Sequence, residues 1–474
     1  MKKHNLFKAI VIVLFVVLIA TYFLPTRDGA DSFTYLGIGD LFINSIQSLY
    51  YFFDIALFTL VVGGFYGILN KTGAYRKLLD VIVSKFKRKG EKFIIATICI
   101  FAIITALTGF TYPLIMFIPI FISIILMLGY DKLVALSATV GASLIGFIGG
   151  IFIPFRDATG YTFMMTTMNE LLGVKFNETI FPKIFLLFAG IALLILYVLK
   201  HIKNSKKENL ELKDDSDIFI TEVKSNYKDI KIWPIIIILS LLVVIIILGL
   251  VPWSTLEITA FDDFHDWLLK FKIGEYTVFN ILSLNFVALG TWLSLGNYLM
   301  LIIVLLVFAL ILKFVYKIKL DTCIDSFVDG MKKMLPAALL ITLAQAVLVC
   351  VYNHGMLENI ITSLVESTNG FNLPIATFIS MLGSFLGVDF FYAIQAAFQP
   401  LITALGDTTT ISILDILFQS AYGFTMLFVP TSLLLITGLT YLKVPYKTWL
   451  KYIWKFLLEL FIVIYVVLLI VSLM

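Results

Sequence analysis

Charge is scarce in this chain. Asp, Glu, Lys and Arg supply 14% of its 474 residues and 60% are hydrophobic, whereas soluble domains are about one-quarter charged. With a mean hydropathy of +1.01, a water-soluble globular fold is excluded. Cysteine is nearly absent: Cys99, Cys323 and Cys350 lie in or beside apolar runs without metal-ligand spacing, and the four histidines form no cluster. Neither a disulfide framework nor a metal site is indicated. The chain also lacks GxxxxGK[ST], GxSxG, HExxH and TVGYG, which argues against an ATP-driven pump, a hydrolase, a zinc protease and a potassium filter. What remains is a membrane protein that is not an enzyme and needs no cofactor beyond a coupling proton or sodium ion.

What is present is a series of apolar windows. Each is long enough, at about 1.5 Å per residue, to cross about 30 Å of hydrocarbon, and so many of them imply an all-α polytopic protein rather than a barrel. The first follows the basic start MKKHN, but its apolar part is too long for a secretory signal and no small-x-small site follows, so it reads as a retained signal-anchor. Crossings are expected at 6–24, 47–69, 93–110, 113–129, 132–153, 182–199, 232–251, 297–312, 334–351, 372–391, 394–407, 411–437 and 453–473, thirteen in all.

A cytoplasmic N-terminus places the loops starting at Lys71, Lys132, Lys200, Lys313 and Lys443 inside. Of 35 Lys and Arg, only Arg27, Arg156, Lys175, Lys183, Lys270 and Lys272 then fall outside, which satisfies the positive-inside rule. Counting Thr277–Gly296 as a crossing would invert everything after it, so that stretch reads as re-entrant or interfacial. Lys200–Lys231 is charge-dense and of mixed sign, a soluble linker between two halves. The expected organisation is an anchor helix over 1–30, a first repeat over 40–200, a linker over 201–231, connecting helices over 232–320 and a second repeat over 325–474.

The repeat is visible in the residues. ATICIFAIITALTGFTYPLIMFIPIF, from Ala96, lies against ATFISMLGSFLGVDFFYAIQAAFQPL, from Ala376, at an offset of 280 that matches Ala96 to Ala376, Thr97 to Thr377, Phe110 to Phe390 and Tyr112 to Tyr392. Upstream, Asn70 and Gly73 mirror Asn353 and Gly355; downstream, Pro119 and Leu128-Gly129 mirror Pro400 and Leu405-Gly406. The charge bias puts the LNKTG turn inside and the YNHG turn outside, so the two units run in opposite senses. Inverted repeats of this kind place a substrate near the midplane where they meet.

Within each repeat one stretch is too polar and too broken for a plain helix. In the first it is TALTGFTYP, Thr105–Pro113, where Gly109 and Pro113 weaken the helix and Thr108 and Thr111 supply hydroxyls. In the second it is Gly383–Gln399, where Asp389 stands at the position of Gly109, followed by Tyr392, Gln395 and Gln399. An ionised acid at mid-membrane costs about 2.5 to 3.5 kcal/mol on insertion scales, so it faces a protein interior and serves a purpose. Asp389 is expected to meet a cationic group or carry a coupling proton; capping a helix end is the plainer alternative. The glycines of GASLIGFIGG, Gly141–Gly150, permit close packing, while its counterpart FQSAYGF adds Gln419 and Ser420 as lining candidates. Asp54 reads as a snorkelling or packing residue, and Arg156-Asp157 as an exposed loop pair rather than a gate.

VGGFYGILNKTGAYRKLLD, Val62–Asp80, and PIFISIILMLGYDKLVALSATVGASLIGFIGG resemble the YfcC-type, C4-dicarboxylate anaerobic carrier-like family of bacterial membrane proteins, over nearly the whole chain. The resemblance implies a secondary carrier of the ion-transporter superfamily, with two inverted repeats, re-entrant hairpins and broken helices around a central site. Some proteins of this type carry dicarboxylates, and similar ones exchange arginine against ornithine. The residues lean to exchange, because the broken stretches hold no Lys or Arg and Asp389 offers a partner to a cation, although helix N-termini alone bind carboxylates. The expectation is an alternating-access antiporter in the bacterial cytoplasmic membrane, with a small-molecule substrate, the lipid bilayer and no nucleic acid as partners, and a homodimer as the oligomer allowed for. A C4-dicarboxylate carrier and a channel are the alternatives.

Overall fold

A computed structural model describes residues 5–24, 34–151, 154–157, 160–163, 176–207, 230–251, 253–277, 289–292, 298–366, 372–390, 392–393 and 411–473. In chain order the helices are α1 (Asn5–Thr21), α2 (Ile38–Tyr51), α3 (Phe53–Lys71), α4 (Ala74–Phe86) and α5 (Gly90–Thr108). A 3-10 turn (Tyr112–Met116) leads to α6 (Ile118–Met127); α7 (Lys132–Leu136), a π turn (Ser137–Gly141) and α8 (Ala142–Ile148) form one winding path. The hairpin β1–β2 (Pro154–Asp157 with Gly160–Phe163) precedes α9 (Phe176–Lys207), α10 (Trp233–Leu250) and α11 (Ala260–Lys270). A second hairpin, Lys272–Ile273 with Tyr276–Thr277, is followed by α12 (Leu299–Val315), α13 (Leu320–Asn353), α14 (Met356–Glu366) and α15 (Leu373–Gly387). The described chain closes with α16 (Ile411–Met426), α17 (Leu433–Tyr441) and α18 (Tyr446–Leu473). Six of the described helices are long and apolar enough to cross a membrane: α3, α5, α9, α10, α13 and α18.

The centre is an antiparallel pair. α13 is 34 residues long, about 50 Å at the α-helical rise, and the run α2–α3, kinked at Phe52, follows it along its length. The Asn44 amide donates to the Cys350 sulfur at 3.3 Å and the Ser48 hydroxyl to the Thr342 carbonyl at 2.9 Å. Further along, Gly63 faces Gly330 and Gly67 faces Ser326. A Cβ on Gly63, Gly67 or Gly330 would strike the facing backbone, so only glycine permits this approach.

The same succession then occurs twice. Gly73 (φ 68°) turns α3 into α4, and Gly355 (φ 58°) turns α13 into α14. Both next helices bond a threonine back one turn: Thr97 to the Phe93 carbonyl at 2.8 Å in α5, and Thr377 to the Leu373 carbonyl at 2.7 Å in α15. α5 stops at Gly109 (φ 66°) and α15 at Val388 (φ 56°). The sequence alignment sets Gly109 against Asp389; the residue with positive φ in the second half is Val388, one residue earlier, with ψ −48° against 0° at Gly109.

Several expected boundaries are corrected. The window 411–437 is two helices, α16 and α17, parted at 427–432, and 113–129 is a 3-10 turn plus the ten-residue α6, because Pro113 and Pro119 remove backbone donors. The window 47–69 spans the kink at Phe52, and 334–351 extends back to Leu320. The linker expected from Lys200 begins later, since α9 runs on to Lys207. Thirteen crossings cannot be counted from the described helices, because one of the windows falls outside them. Window 394–407 lies outside the described residues, as does most of Thr277–Gly296; its described part docks on α10, with the Gly290 and Trp292 amides donating to the Gly249 carbonyl at 3.1 and 3.2 Å.

Candidate functional site

Two helix breaks and one helix end come together. α8 presses on α5 where Gly146 meets the Ala102 backbone, and beyond its end the Ile151 amide donates to the Ala106 carbonyl at 2.7 Å, one turn before the Gly109 break. On its other side Phe147 of α8 packs on Phe390 and Tyr422 with ring centroids 4.9 and 5.0 Å away, and Phe390 lies 5.0 Å from Tyr422. Phe390 directly follows the Val388–Asp389 break. The end of α8 therefore lies between the breaks of the two halves, and α16 walls the same space.

The breaks are held by local hydrogen bonds. The Gly109 amide caps α5 on the Thr105 carbonyl at 2.7 Å, the Thr108 hydroxyl donates to the Ile104 carbonyl at 2.6 Å, and the Phe110 amide donates to the Thr108 oxygen at 3.2 Å. Thr108 is thus engaged in the cap, Gly109 is buried beneath it and Thr111 is half-buried in the turn that follows. In the second half the Asp389 amide closes on the Gly387 carbonyl, and the Asp389 carbonyl accepts from the Ala393 amide at 3.0 Å, opening the next helical turn. Asp389 is half-buried, and its carboxylate lies within electrostatic range of the Tyr422 phenol. The Tyr422 hydroxyl donates to the Val388 carbonyl at 3.1 Å.

The remaining expected residues fall differently. Gln419 is buried at 1% exposure, and its amide donates to the Gly150 carbonyl at 2.6 Å and the Phe147 carbonyl at 3.0 Å. It ties α16 to the carbonyls at the end of α8, of which Phe147 also accepts from the Gly150 amide at 3.1 Å. Ser420 is fully buried and bonds back to the Leu417 carbonyl at 3.2 Å within its own helix. Tyr392 turns toward Phe52 and Tyr352, with ring centroids at 6.3 and 5.9 Å. Its partner by repeat, Tyr112, is buried and shares a 2.5 Å hydrogen bond with the Thr59 hydroxyl. Gln395 and Gln399 lie outside the described residues. Asp54 accepts from the Tyr298 amide at 3.2 Å, at the start of α12, where a carboxylate complements the helix dipole.

One feature is missing from the sequence reading. Lys183 of α9 and Asp415 of α16 form a 2.6 Å ion pair with the residues only 5% and 4% exposed. Lys183 is counted by its charge as an outer-loop residue, yet it lies a turn or more inside α9. The signal is the same as for Asp389, a charge within an apolar window, and it applies to Asp415 with equal force. Among the described residues no group of three His, Cys, Asp or Glu could hold a metal ion.

Residues 44–473 match the DcuC family, described as C4-dicarboxylate anaerobic carrier. The chain is 24% identical over 415 residues, 84% of its length and 73% of the relative's, to the Escherichia coli (strain K12) protein named "Putative basic amino acid antiporter YfcC". It is likewise 24% identical over 435 residues to an uncharacterized protein of Haemophilus influenzae, covering 88% of this chain and 75% of that one. Among solved structures it matches the Alcanivorax borkumensis YdaH transporter over 98% of this chain and 97% of that one, with 14% identity and a TM-score of 0.40. With the match extending over nearly its whole length, this multi-pass membrane protein belongs to the DcuC family of transporters.

Proposed function

We propose that the chain is a secondary antiporter of small organic ions, exchanging basic amino acids of the arginine/ornithine type by alternating access. The observation that carries this reading is the meeting of both helix breaks with the end of α8. Breaks of this kind leave backbone groups without helical partners, which a membrane interior tolerates only where protein or a wet cavity satisfies them. Repeated, antiparallel units with discontinuous helices are the architecture in which solutes bind between halves. The element order and the antiparallel α3 and α13 support two inverted repeats, and the lysine distribution supports a cytoplasmic N-terminus in the bacterial inner membrane.

Charge favours a cationic substrate. Around the breaks the described residues supply two acids, Asp389 and Asp415, against one base, Lys183, which Asp415 already neutralises. The name of the Escherichia coli relative agrees with that sign. The description of the family favours the second reading, a C4-dicarboxylate carrier.

Exchange in proteoliposomes decides between them. Loaded with arginine, the wild type is expected to take up radiolabelled arginine by saturable counterflow, and Asp389→Asn to lose about tenfold or more of it, the worth of one charge-assisted hydrogen bond. Uptake of succinate with none of arginine would overturn the amino acid reading; non-saturable flux without counterflow would mark a channel.

A further inference from the structure

The Lys183–Asp415 pair is a weak device for stability. Two ions withdrawn from water gain from each other little more than apolar side chains of the same volume would. Its surroundings are those of a binding site instead. Among the described residues Asp415 Oδ1 and Gln419 Oε1 have no hydrogen-bond partner, although both side chains are more than nine-tenths buried and orphaned buried acceptors are costly. Both are acceptors, one of them charged, and they stand one turn apart on α16. Beside them is the only cation of the site among the described residues, Lys183, whose own backbone lies against Gly149 at the end of α8; a Cβ there would come within 2.6 Å of the Lys183 carbonyl.

The placement continues toward Asp389. Asp415, Gln419 and Tyr422 recur at i, i+4 and i+7, one face of a helix, and Tyr422 bonds the carbonyl immediately before Asp389. At about 1.5 Å per residue the two ends of that face are about 10 Å apart, which an extended basic amino acid spans with a hydrogen bond at each charged end. We infer that Lys183, Asp415 and Gln419 form the head-group site for a zwitterionic α-amino acid. Its ammonium sits on the two orphaned oxygens, its carboxylate on the Lys183 ammonium, and its side chain extends along α16 to Asp389. The assignment rests on the amino acid reading above and adds what that reading lacks, a reason why a free amino acid is preferred to a simple organic cation.

Agmatine, which is arginine without its carboxylate, isolates the Lys183 contact. Thermal unfolding of the purified wild type is measured with arginine, agmatine, argininic acid (hydroxyl in place of the amine) and succinate. Arginine is expected to stabilise most, and agmatine and argininic acid to need about tenfold or more higher concentration for the same shift, one charge-assisted contact each. Exchange assays then map the residues. Lys183→Gln/Asp415→Asn, neutral and of nearly the same volume, is expected to lose the arginine-over-agmatine preference, and Lys183→Arg to retain it. A packing role alone would weaken both ligands in proportion and leave their ratio unmoved. Equal stabilisation of the wild type by arginine and agmatine overturns the head-group site while the exchanger survives, and so does a double variant that keeps the wild-type ratio. Stabilisation by succinate and not by arginine overturns the amino acid reading itself.

Discussion

Gln419 shows how much one side chain can hold. Its amide meets the carbonyls of Phe147, Ile148 and Gly150 at the end of α8; Phe147 also accepts from the Gly150 amide, so the shortest of these bonds, to Gly150, is the one that Gln419 alone supplies among the described residues. Gln419→Ala is therefore expected to cost about 1–3 kcal/mol, the penalty for orphaning a buried acceptor, here the Gly150 carbonyl, seen as a lowered melting temperature in detergent. An unchanged melting temperature would mean that water replaces the amide. At this scale the sequence was legible where a charge interrupts a recognisable break. Asp389 stands out because glycines and amides surround it, and the structure places it at the turn. Lys183 was hidden by its position at the mouth of an apolar window, next to Pro182, where a helix start and a loop read alike. Asp415 was hidden because its window carried no glycine or proline beside it.

Among elements, the two breaks share a function in the fold but not a chemistry. Gly109 adopts φ 66° without steric cost, whereas Val388 at φ 56° holds a β-branched residue where it is rarely found. A non-glycine residue there stores roughly 1–3 kcal/mol. Val388→Gly is expected to leave the melting temperature unchanged or higher, and Gly109→Val to lower it by several degrees; calorimetry on the two purified variants checks the sign. A lower melting temperature for Val388→Gly would show that the valine side chain, 1% exposed, matters more for packing than the turn costs. The first break could be read because glycine and proline announce it. The second could not, since nothing in the residue type of Val388 announces a left-handed turn; only the tertiary fit around Phe390 and Tyr422 enforces it. Amphipathic α4 and α14 were illegible for a related reason, since a search for apolar windows passes over helices that alternate polar and apolar faces.

For the whole molecule, the lysine distribution predicts one orientation. Lys87, exposed in the basic stretch after α4, is expected to face the cytoplasm. In a variant freed of Cys99, Cys323 and Cys350, Lys87→Cys should react with a membrane-impermeant maleimide in inside-out vesicles and not in intact cells. The opposite pattern would invert the topology. The duplicated plan was readable from Asn70, Gly73, Asn353 and Gly355, whose turns the structure draws with the same hand. The bounds of the crossings were less readable, because hydropathy cannot tell a span from two half-helices laid end to end.

The glycine contact between α3 and α13 carries one more consequence. Where Gly63 and Gly67 meet Gly330 and Ser326, carbonyl lies against α-carbon with no side chain between, so the gap is too narrow for a water molecule, let alone a solute. That seam is a bulkhead, and the substrate path proposed above runs around it, on the flanks where the broken helices lie.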